Sequence, residues 1–197
     1  MKIGSHNTFS YLPVKHWYMW PVVWTARCQR VDFGEQWLAG ARLFDLRVRF
    51  DKNGDPIICH GLIEFEAEKT FLDNIFKYLD YGWFRVVLET TKHDFVQESH
   101  FKTFCRHLQE TYPKLTFFGG NNRADWNCKS PIYDFRVPLE DLDDKYSSTT
   151  SLFPERFEAL RVVDDLLPIF YAWRYNRKNR EAGTKHEWLF LDFVDIK

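Results

Sequence analysis

Short apolar runs alternate along this chain with segments in which apolar residues recur at helical spacing. Strands are predicted at 2–7, 42–50, 56–60, 84–88, 115–118 and 188–194, and a further strand over 132–137 is left open. Helices are predicted at 32–40, 66–80, 94–111 and 154–180, the last one kinked or split at Pro168. Strands that are apolar almost throughout and separated by helices favour a parallel sheet covered by helices. The expected class is therefore an α/β fold.

Length and composition limit the chain to one globular domain. Of its 197 residues, 45% are hydrophobic, and without a long linker or an internal repeat we expect a single domain over 1–197. The net charge of −1 excludes the broad positive field that holds a nucleic acid. No apolar run approaches the roughly 18 residues of a membrane span, and the N-terminus lacks the pattern of a signal peptide. We therefore expect a cytoplasmic protein, or one whose export signal has been removed, and we expect a monomer.

The cysteines give no metal-binding pattern. They are Cys28, Cys59, Cys105 and Cys128. None belongs to the C-x-x-C pair typical of zinc sites, and nothing in their spacing predicts disulfides. Free, buried thiols are expected.

The strand predicted over 42–50 carries charges on one of its faces. Alternate residues of a strand point to the same side, so Asp45, Arg47 and Arg49 share a face opposite an apolar one. Three charges in a row are costly to bury unless they are paired or used. Two interpretations stay open: a salt bridge within the strand between Asp45 and Arg47, or a functional site.

Two histidines lie at strand ends. His6 follows the first strand within Gly4-Ser5-His6-Asn7-Thr8, and His60 ends the strand over 56–60, directly before Gly61. An imidazole can give or take a proton near neutral pH, and a guanidinium matches phosphate oxygens with paired hydrogen bonds. Together with Arg47 these histidines indicate phosphoryl transfer.

These segments resemble a known family. Residues 4–8, 41–47 and 59–61 resemble the catalytic X region of phosphatidylinositol-specific phospholipase C, closest to its bacterial, metal-independent branch, and shorter matches occur at 144–147 and 191–193. The resemblance implies a (β/α)8 TIM-type barrel with its site at the C-terminal ends of the strands. At 197 residues, against about 250 for a typical barrel, it has to be compact and either distorted or incomplete.

The resemblance also implies a reaction. His6 resembles the general base that takes the proton of the inositol 2-hydroxyl, and His60 resembles the general acid that protonates the departing diacylglycerol oxygen. Arg47 resembles the residue that neutralises the phosphate oxygens, and Asp192 the carboxylate that orients the base. The positions that support the arginine and the acid histidine in the family correspond to Asp45 and Asn7. The products would be an inositol cyclic phosphate and diacylglycerol.

One departure concerns calcium, which the eukaryotic branch uses. Asn7, Asp45 and Glu89 correspond to three of its four calcium ligands, but the fourth position is Arg47, whose fixed positive charge disfavours the ion. We expect no metal or other cofactor, with calcium on Asn7, Asp45 and Glu89 as the exception to test.

Substrate binding rests on four residues. Asp144 and Tyr146 resemble an inositol-binding aspartate and a stacking tyrosine, and Arg136 is a further candidate for binding hydroxyl groups. Glu89, at a strand end, is either part of this site or a partner of Arg47. The expected partner is a phospholipid or an inositol phosphodiester.

The segment 17–24 contains three tryptophans. It is either an aromatic rim that makes peripheral contact with a membrane or a cover over one end of the core, and the core role is favoured. Two rival functions remain open: a metal-dependent glycerophosphodiester or sphingomyelin-type phosphodiesterase, and a non-catalytic protein that binds a lipid head group.

Overall fold

The fold is taken from a computed structural model, which describes residues 2–90, 94–121, 142–144, 168–182 and 188–196. Within these ranges the strands are β1 Lys2–Ser5, β2 Ala41–Phe50, β3 Pro56–His60, β4 Ile63–Glu64, β5 Trp83–Leu88, β6 Thr116–Asn121, β7 Leu142–Asp144 and β8 Trp188–Leu191. The α-helices are α1 Phe33–Leu38, α2 Phe71–Phe76, α3 Phe95–Thr111 and α4 Pro168–Ala182, and a 3-10 helix spans Trp17–Thr25.

Six parallel strands form the main sheet, in the order β6-β5-β2-β1-β8-β7. β3 pairs antiparallel with the C-terminal part of β2, and β4 pairs antiparallel with β3. The described strands therefore form a mixed α/β sheet with β6 and β7 at its two ends. The predicted α/β class is confirmed, whereas closure into a (β/α)8 barrel is not shown by the described residues.

Several predicted elements differ in detail from the structure. The segment 17–25, where no helix was predicted, is a 3-10 helix, and the helix predicted over 66–80 is reduced to α2, where only Leu72 and Phe76 are buried, one turn apart. The described part of the helix predicted over 154–180 is α4, which begins at Pro168, a first helical position at which proline loses no backbone hydrogen bond. The residues 132–137 and 154–167 lie outside the described ranges.

Local sequence signals account for the ends of the confirmed elements. Asp32 caps α1, accepting a bond from the Glu35 backbone N–H at 2.9 Å while the Glu35 carboxylate accepts from the Asp32 N–H at 3.3 Å. Gly54 lies at φ 84° in the turn between β2 and β3, a conformation that glycine adopts without strain.

The two faces of β2 separate the core from the site. Residues Phe44, Leu46, Val48 and Phe50 pack in one cluster with β5 and α3. On the other face, Leu43 packs with Phe118, Trp188 and Phe190. Asp45 and Arg47 follow Leu43 at a spacing of two, on the same face and closer to the C-terminal end. The sheet therefore places charged groups directly beside a buried apolar layer.

In the described part of the chain, no helix has both the length and the apolar character needed to cross a membrane.

Candidate functional site

The parallel strands bring the predicted residues to one edge of the sheet. Ser5, the last residue of β1, lies beside Leu191, the last residue of β8, so that His6 and Asp192 both follow directly at this edge. In β2, Asp45 lies beside Arg85 of β5, and Val48 beside Leu88. Since the carboxyl ends of parallel strands meet at the same edge, residues far apart in sequence come within contact distance.

His6 lies between an acidic and a basic group. Its Nδ1 is 2.7 Å from Oδ1 of Asp192, whose side chain is fully buried, and its Nε2 is 2.5 Å from Nη2 of Arg47. A carboxylate can only accept, so Nδ1 carries the hydrogen and Nε2 offers its lone pair. This arrangement gives His6 the tautomer that a general base needs.

Arg47 is held by two carboxylates. Its Nε donates to Oδ2 of Asp45 at 2.8 Å, and its Nη1 donates to Oε2 of Glu89 at 3.1 Å. Both salt-bridge alternatives raised by the sequence are therefore present. Burial alone would lower the pKa of Arg47, but the charges of Asp45 and Glu89 outweigh it and raise that pKa above its ordinary value. The guanidinium is thus a permanent, oriented positive charge.

Asp45 is fully buried and ionised. Burial alone would raise its pKa, but the guanidinium groups of Arg47 and Arg85 lower it well below the usual range. Nη1 of Arg85 lies 3.9 Å from Oδ1 of Asp45. Arg85 is not among the residues predicted above, although its spacing of two and four from Val87 and Glu89 places it on the same strand face.

His60 is half-buried next to His6. The two ring centroids are 5.8 Å apart, at an interplanar angle of 86°. Nδ1 of His60 lies 3.0 Å from the carbonyl oxygen of Ala26, to which it donates because a carbonyl only accepts. Burial, reinforced by the charges of Arg47 and His6, lowers the pKa of His60 to about 4. His60 is therefore neutral at pH 7 in the unliganded protein.

Asn7 supports the site through the backbone. It lies in the left-handed region at φ 42°, and its N–H donates to Oδ2 of Asp45 at 3.1 Å. Its Nδ2 donates to the carbonyl of Ala26 at 3.2 Å, the same oxygen that His60 contacts. Asn7 is therefore joined to His60 through one shared acceptor.

The three candidate calcium ligands do not enclose a cation position. Asp45 and Glu89 each give a carboxylate oxygen to Arg47, whose guanidinium lies between them, while the buried Oδ1 of Asn7 accepts no hydrogen bond from the described residues. A hard cation needs several oxygen ligands around it, and a fixed positive charge among them opposes binding. These residues do not fit calcium.

The predicted substrate-binding residues are described only in part. Glu89 reaches the site, and its Oε1 also accepts from the Gly61 N–H at 3.1 Å, next to His60. Asp144 ends β7, where its backbone lies beside Phe190. Arg136 and Tyr146 lie outside the described residues.

A thiol and a cleft adjoin His60, and neither was found from the sequence. Sγ of the buried Cys28 lies 3.8 Å from Nδ1 of His60. A cleft of about 330 Å³ opens beside His60, lined mainly by apolar side chains: Met19, Val22, Ala26, Leu62 and Ile63. Both depend on the path of residues 9–30 over the strand ends, and no local pattern signals that path.

The aromatic segment 17–24 is exposed, so the favoured prediction of a core role is wrong. The 3-10 helix contains no buried residue, and Trp17 and Trp20 are 83% and 69% exposed. Met19 and Val23, four residues apart, are partly buried against the core, whereas the three tryptophans face outward. The segment stands at the rim of the cleft, to which it contributes Met19 and Val22.

Solved structures share this architecture. The chain is similar to phosphatidylinositol-specific phospholipase C from Listeria monocytogenes, with a TM-score of 0.64 and 18% identity over 98% of this chain and 87% of that one. It is similar to the Staphylococcus aureus enzyme, in a structure concerned with modulation of membrane binding, with a TM-score of 0.58 and 15% identity over 98% and 85% of the two chains. A variant of the S. aureus enzyme gives a TM-score of 0.57 and 16% identity over 98% and 84%.

The sequence comparisons add no closer relationship. No family model and no curated protein sequence matches the chain. At identities of 15–18% the structural likeness is one of fold. The resemblance seen in the sequence is confirmed at that level: the chain shares the fold of the bacterial phosphatidylinositol-specific phospholipases C.

Proposed function

We propose that this chain is a phosphodiesterase, strictly a phosphorus–oxygen lyase, that cleaves phosphatidylinositol-type lipids. The observation that carries the proposal is the meeting of His6, Arg47 and His60 at one edge of the sheet. Nη2 of Arg47 is 2.5 Å from Nε2 of His6, and the ring of His60 lies 5.8 Å from that of His6. Two imidazoles beside a guanidinium can act on the two sides of one phosphate group, one as a base and the other as an acid.

The proposed reaction starts at His6. Its Nε2, kept as an acceptor by Asp192, takes the proton of the inositol 2-hydroxyl, which attacks the neighbouring phosphorus in the same molecule. The substrate hydroxyl takes the place that the Arg47 N–H has next to Nε2. Because the nucleophile belongs to the substrate, attack gains the advantage of proximity without a second bound reactant.

Arg47 and His60 act on the other side of the phosphorus. The guanidinium, fixed by Asp45 and Glu89 among largely buried side chains, meets the charge that grows on the phosphate oxygens. His60 gives a proton to the departing oxygen, so that diacylglycerol leaves as an alcohol and the inositol keeps a cyclic phosphate. In this proposal Asp45 and Asn7 position Arg47 and His60 and do not touch the substrate.

The cleft beside His60 supports a lipid as the source of the leaving alcohol. The oxygen that His60 protonates belongs to the leaving group, so whatever fills the adjoining cleft is attached to that oxygen. Apolar walls from Met19, Val22, Leu62 and Ile63 favour hydrocarbon over a sugar or a second charge.

The exposed aromatic segment supports peripheral contact with a membrane. Tryptophan side chains combine an apolar body with a polar N–H and favour the interface between lipid and water. Trp17, Trp20 and Trp24 are 83%, 69% and 49% exposed at the rim of the cleft. We propose that this segment dips into the interface and brings the cleft to the lipid.

Specific contacts argue against the two rival functions. A metal-dependent phosphodiesterase needs acidic ligands around an open cation position, whereas Arg47 occupies that position here. A protein that only binds a head group does not need His6 held in a base tautomer by the buried Asp192. We therefore propose a metal-independent reaction.

The test is to incubate the protein with phosphatidylinositol and a panel of other phosphodiesters, with and without chelator, and to identify the phosphorus-containing products by 31P NMR. We expect an inositol cyclic phosphate from phosphatidylinositol and a rate that chelator does not lower. His6→Ala and His60→Ala should each lower turnover by about 10²- to 10⁴-fold, whereas His107→Ala, on the exposed side of α3, should not.

The outcomes separate the alternatives. Complete loss with chelator would move the reaction to a metal-dependent class. Binding of the head group without turnover, in the parent chain and His60→Ala alike, would support the non-catalytic protein. Turnover of a different diester in preference to phosphatidylinositol would change the substrate and keep the site.

A further inference from the structure

We propose that His6, His60 and Cys28 form a binding site for a thiophilic divalent cation, above all Zn²⁺. The bound ion blocks the candidate active site. The inhibition rests on the proposed function, because it acts through the same two histidines. The binding itself stands on the geometry of the three side chains.

The three side chains have the ligand set and the spacing of a zinc site. One ligand atom from each lies within 4.8 Å of the other two. With zinc–sulfur bonds of about 2.3 Å and zinc–nitrogen bonds of about 2.0 Å, tetrahedral ligand atoms lie about 3.3–3.6 Å apart. Side-chain movements of up to about 1.5 Å would bring the three atoms to these distances.

The surroundings of both rings also match those of zinc ligands. Histidines that bind a metal through one ring nitrogen usually donate a hydrogen bond from the other, to a carboxylate or a backbone carbonyl. Nδ1 of His6 has such a bond to Asp192 at 2.7 Å, and Nδ1 of His60 has one to the carbonyl of Ala26 at 3.0 Å. Nε2 of each ring is then the metal-binding nitrogen.

The net charge of the surrounding side chains favours binding of a divalent cation. Three carboxylates lie in the site: Asp45 pairs with Arg47 and Arg85, Glu89 with Arg47, and Asp192 with His6. When Cys28 binds as a thiolate and its proton leaves to solvent, a divalent ion brings these charges into balance.

Arg47 competes with the ion for Nε2 of His6. Its Nη2 donates to that nitrogen at 2.5 Å, so the ion has to displace one N–H. The displaced guanidinium keeps its bonds to Asp45 and Glu89, which limits the cost. We therefore expect reversible binding and not a permanent structural zinc.

The ion has a path to the site and a clear effect there. His60 lines the open cleft together with Met19, Val22 and Leu62, whereas Cys28 and His6 lie behind it. An ion held between the two imidazoles occupies the ring nitrogens that would accept and deliver protons. Bound Zn²⁺ is therefore expected to exclude the phosphodiester and to stop turnover.

The test uses Co²⁺ as a spectroscopic probe and Zn²⁺ as the inhibitor. We expect Co²⁺ to give the near-ultraviolet sulfur-to-cobalt charge-transfer band, which Cys28→Ser should remove. Zn²⁺ should inhibit turnover of phosphatidylinositol, and Cys28→Ser should weaken that inhibition by at least about tenfold, each variant being compared with its own uninhibited rate. Cys105→Ser is the matched control, because Cys105 is a buried thiol on α3, away from the site.

The results separate the metal site from the enzyme. A cobalt–thiolate band that depends on Cys28, in a protein that turns over no phosphodiester, would keep the site and refute the proposed function. Turnover with inhibition by Zn²⁺ that is equal in the parent chain and Cys28→Ser would refute the site alone. If Cys28→Ser does not fold, X-ray absorption of the zinc-loaded parent chain decides: one sulfur and two imidazole ligands are expected, and a shell without sulfur overturns the proposal.

Discussion

The ring of His60 has to carry a proton when the leaving oxygen departs, yet it is neutral in the unliganded protein. Burial, with the charges of Arg47 and His6, lowers its pKa from the ordinary 6.5 to about 4. The substrate itself is expected to reverse this, because its phosphodiester anion binds between Arg47 and His60. We predict that an anion at this position raises the pKa of His60 towards neutrality.

The size of the effect follows from Coulomb's law. A single negative charge about 4 Å from the ring, at an effective dielectric constant of about 20, favours the protonated form by about 4 kcal/mol. Since one pKa unit corresponds to about 1.4 kcal/mol, the pKa of His60 should rise by about 3. The anion also screens Arg47 from His60, which acts in the same direction. Proton uptake is thus coupled to substrate binding.

The assay is an NMR titration of the His60 ring protons, assigned with His60→Gln, in the absence and presence of saturating inositol 1-phosphate. The ring signals of His107, which lies on the exposed side of α3, serve as the reference that should not respond to the ligand. In kinetics, the alkaline limb of kcat should lie at higher pH than that of kcat/KM, because the first reports the complex and the second the free protein.

Two results would refute this reasoning. A pKa of His60 at or above 6.5 in the unliganded protein would mean that burial and Arg47 do not act on the ring as the geometry requires. A low pKa that the bound anion leaves unchanged would mean that the anion does not bind beside His60, and the role of general acid would be lost.

Four further perturbations test the site and the fold. Arg47→Lys should lower turnover by about 10²- to 10³-fold, measured as kcat, since an ammonium cannot copy the guanidinium fork; normal rates would contradict the role of Arg47. Asp192→Asn should lower kcat by about 10²- to 10⁴-fold because an amide that donates to His6 favours the wrong tautomer; an unchanged pH profile and rate would show that Asp192 does not orient the base. Gly4→Ala should cost about 1–3 kcal/mol of unfolding free energy in a denaturant titration, because the added methyl group meets the ring of Phe190; an unaltered midpoint would show that the ring moves freely. A folded-state pKa of His60 below its unfolded value makes the unfolded chain the better proton acceptor, so stability should fall as pH drops from about 6.5 to about 4, by up to about 3 kcal/mol; His60→Gln should flatten this slope, and an equal slope in both proteins would exclude His60 as its source.

The elements of the fold were predictable where a local signal exists. The capping box at Asp32 and Glu35 places the start of α1 because both bonds form within one turn of the chain. The apolar period of β2 gives its two faces in the same way, with Phe44 and Leu46 in the core and Asp45 and Arg47 on the opposite side. The aromatic segment was not predictable in this way, since tryptophans suit both a core and an interface.

The residues of the candidate site were predictable through motif resemblance more than through physics. His6 and Asp192 are separated by 185 intervening residues, and only the parallel pairing of β1 with β8 brings them to 2.7 Å. Cysteine spacing indicates metal sites only when the ligands lie close in sequence, so it does not single out Cys28. Its approach to His60 depends on a connecting segment whose course no periodicity records.

By itself, the order of residues determined the strand and helix alternation, the charged face of β2 and the identity of the groups able to transfer protons, because these follow from side-chain chemistry and periods of two or 3.6 residues. The tertiary structure alone decided which of those groups meet. It placed a carboxylate, two imidazoles, a guanidinium and a thiol around one edge of the sheet, and it set the protonation of His60, because burial and neighbouring charges exist only once the strands have paired.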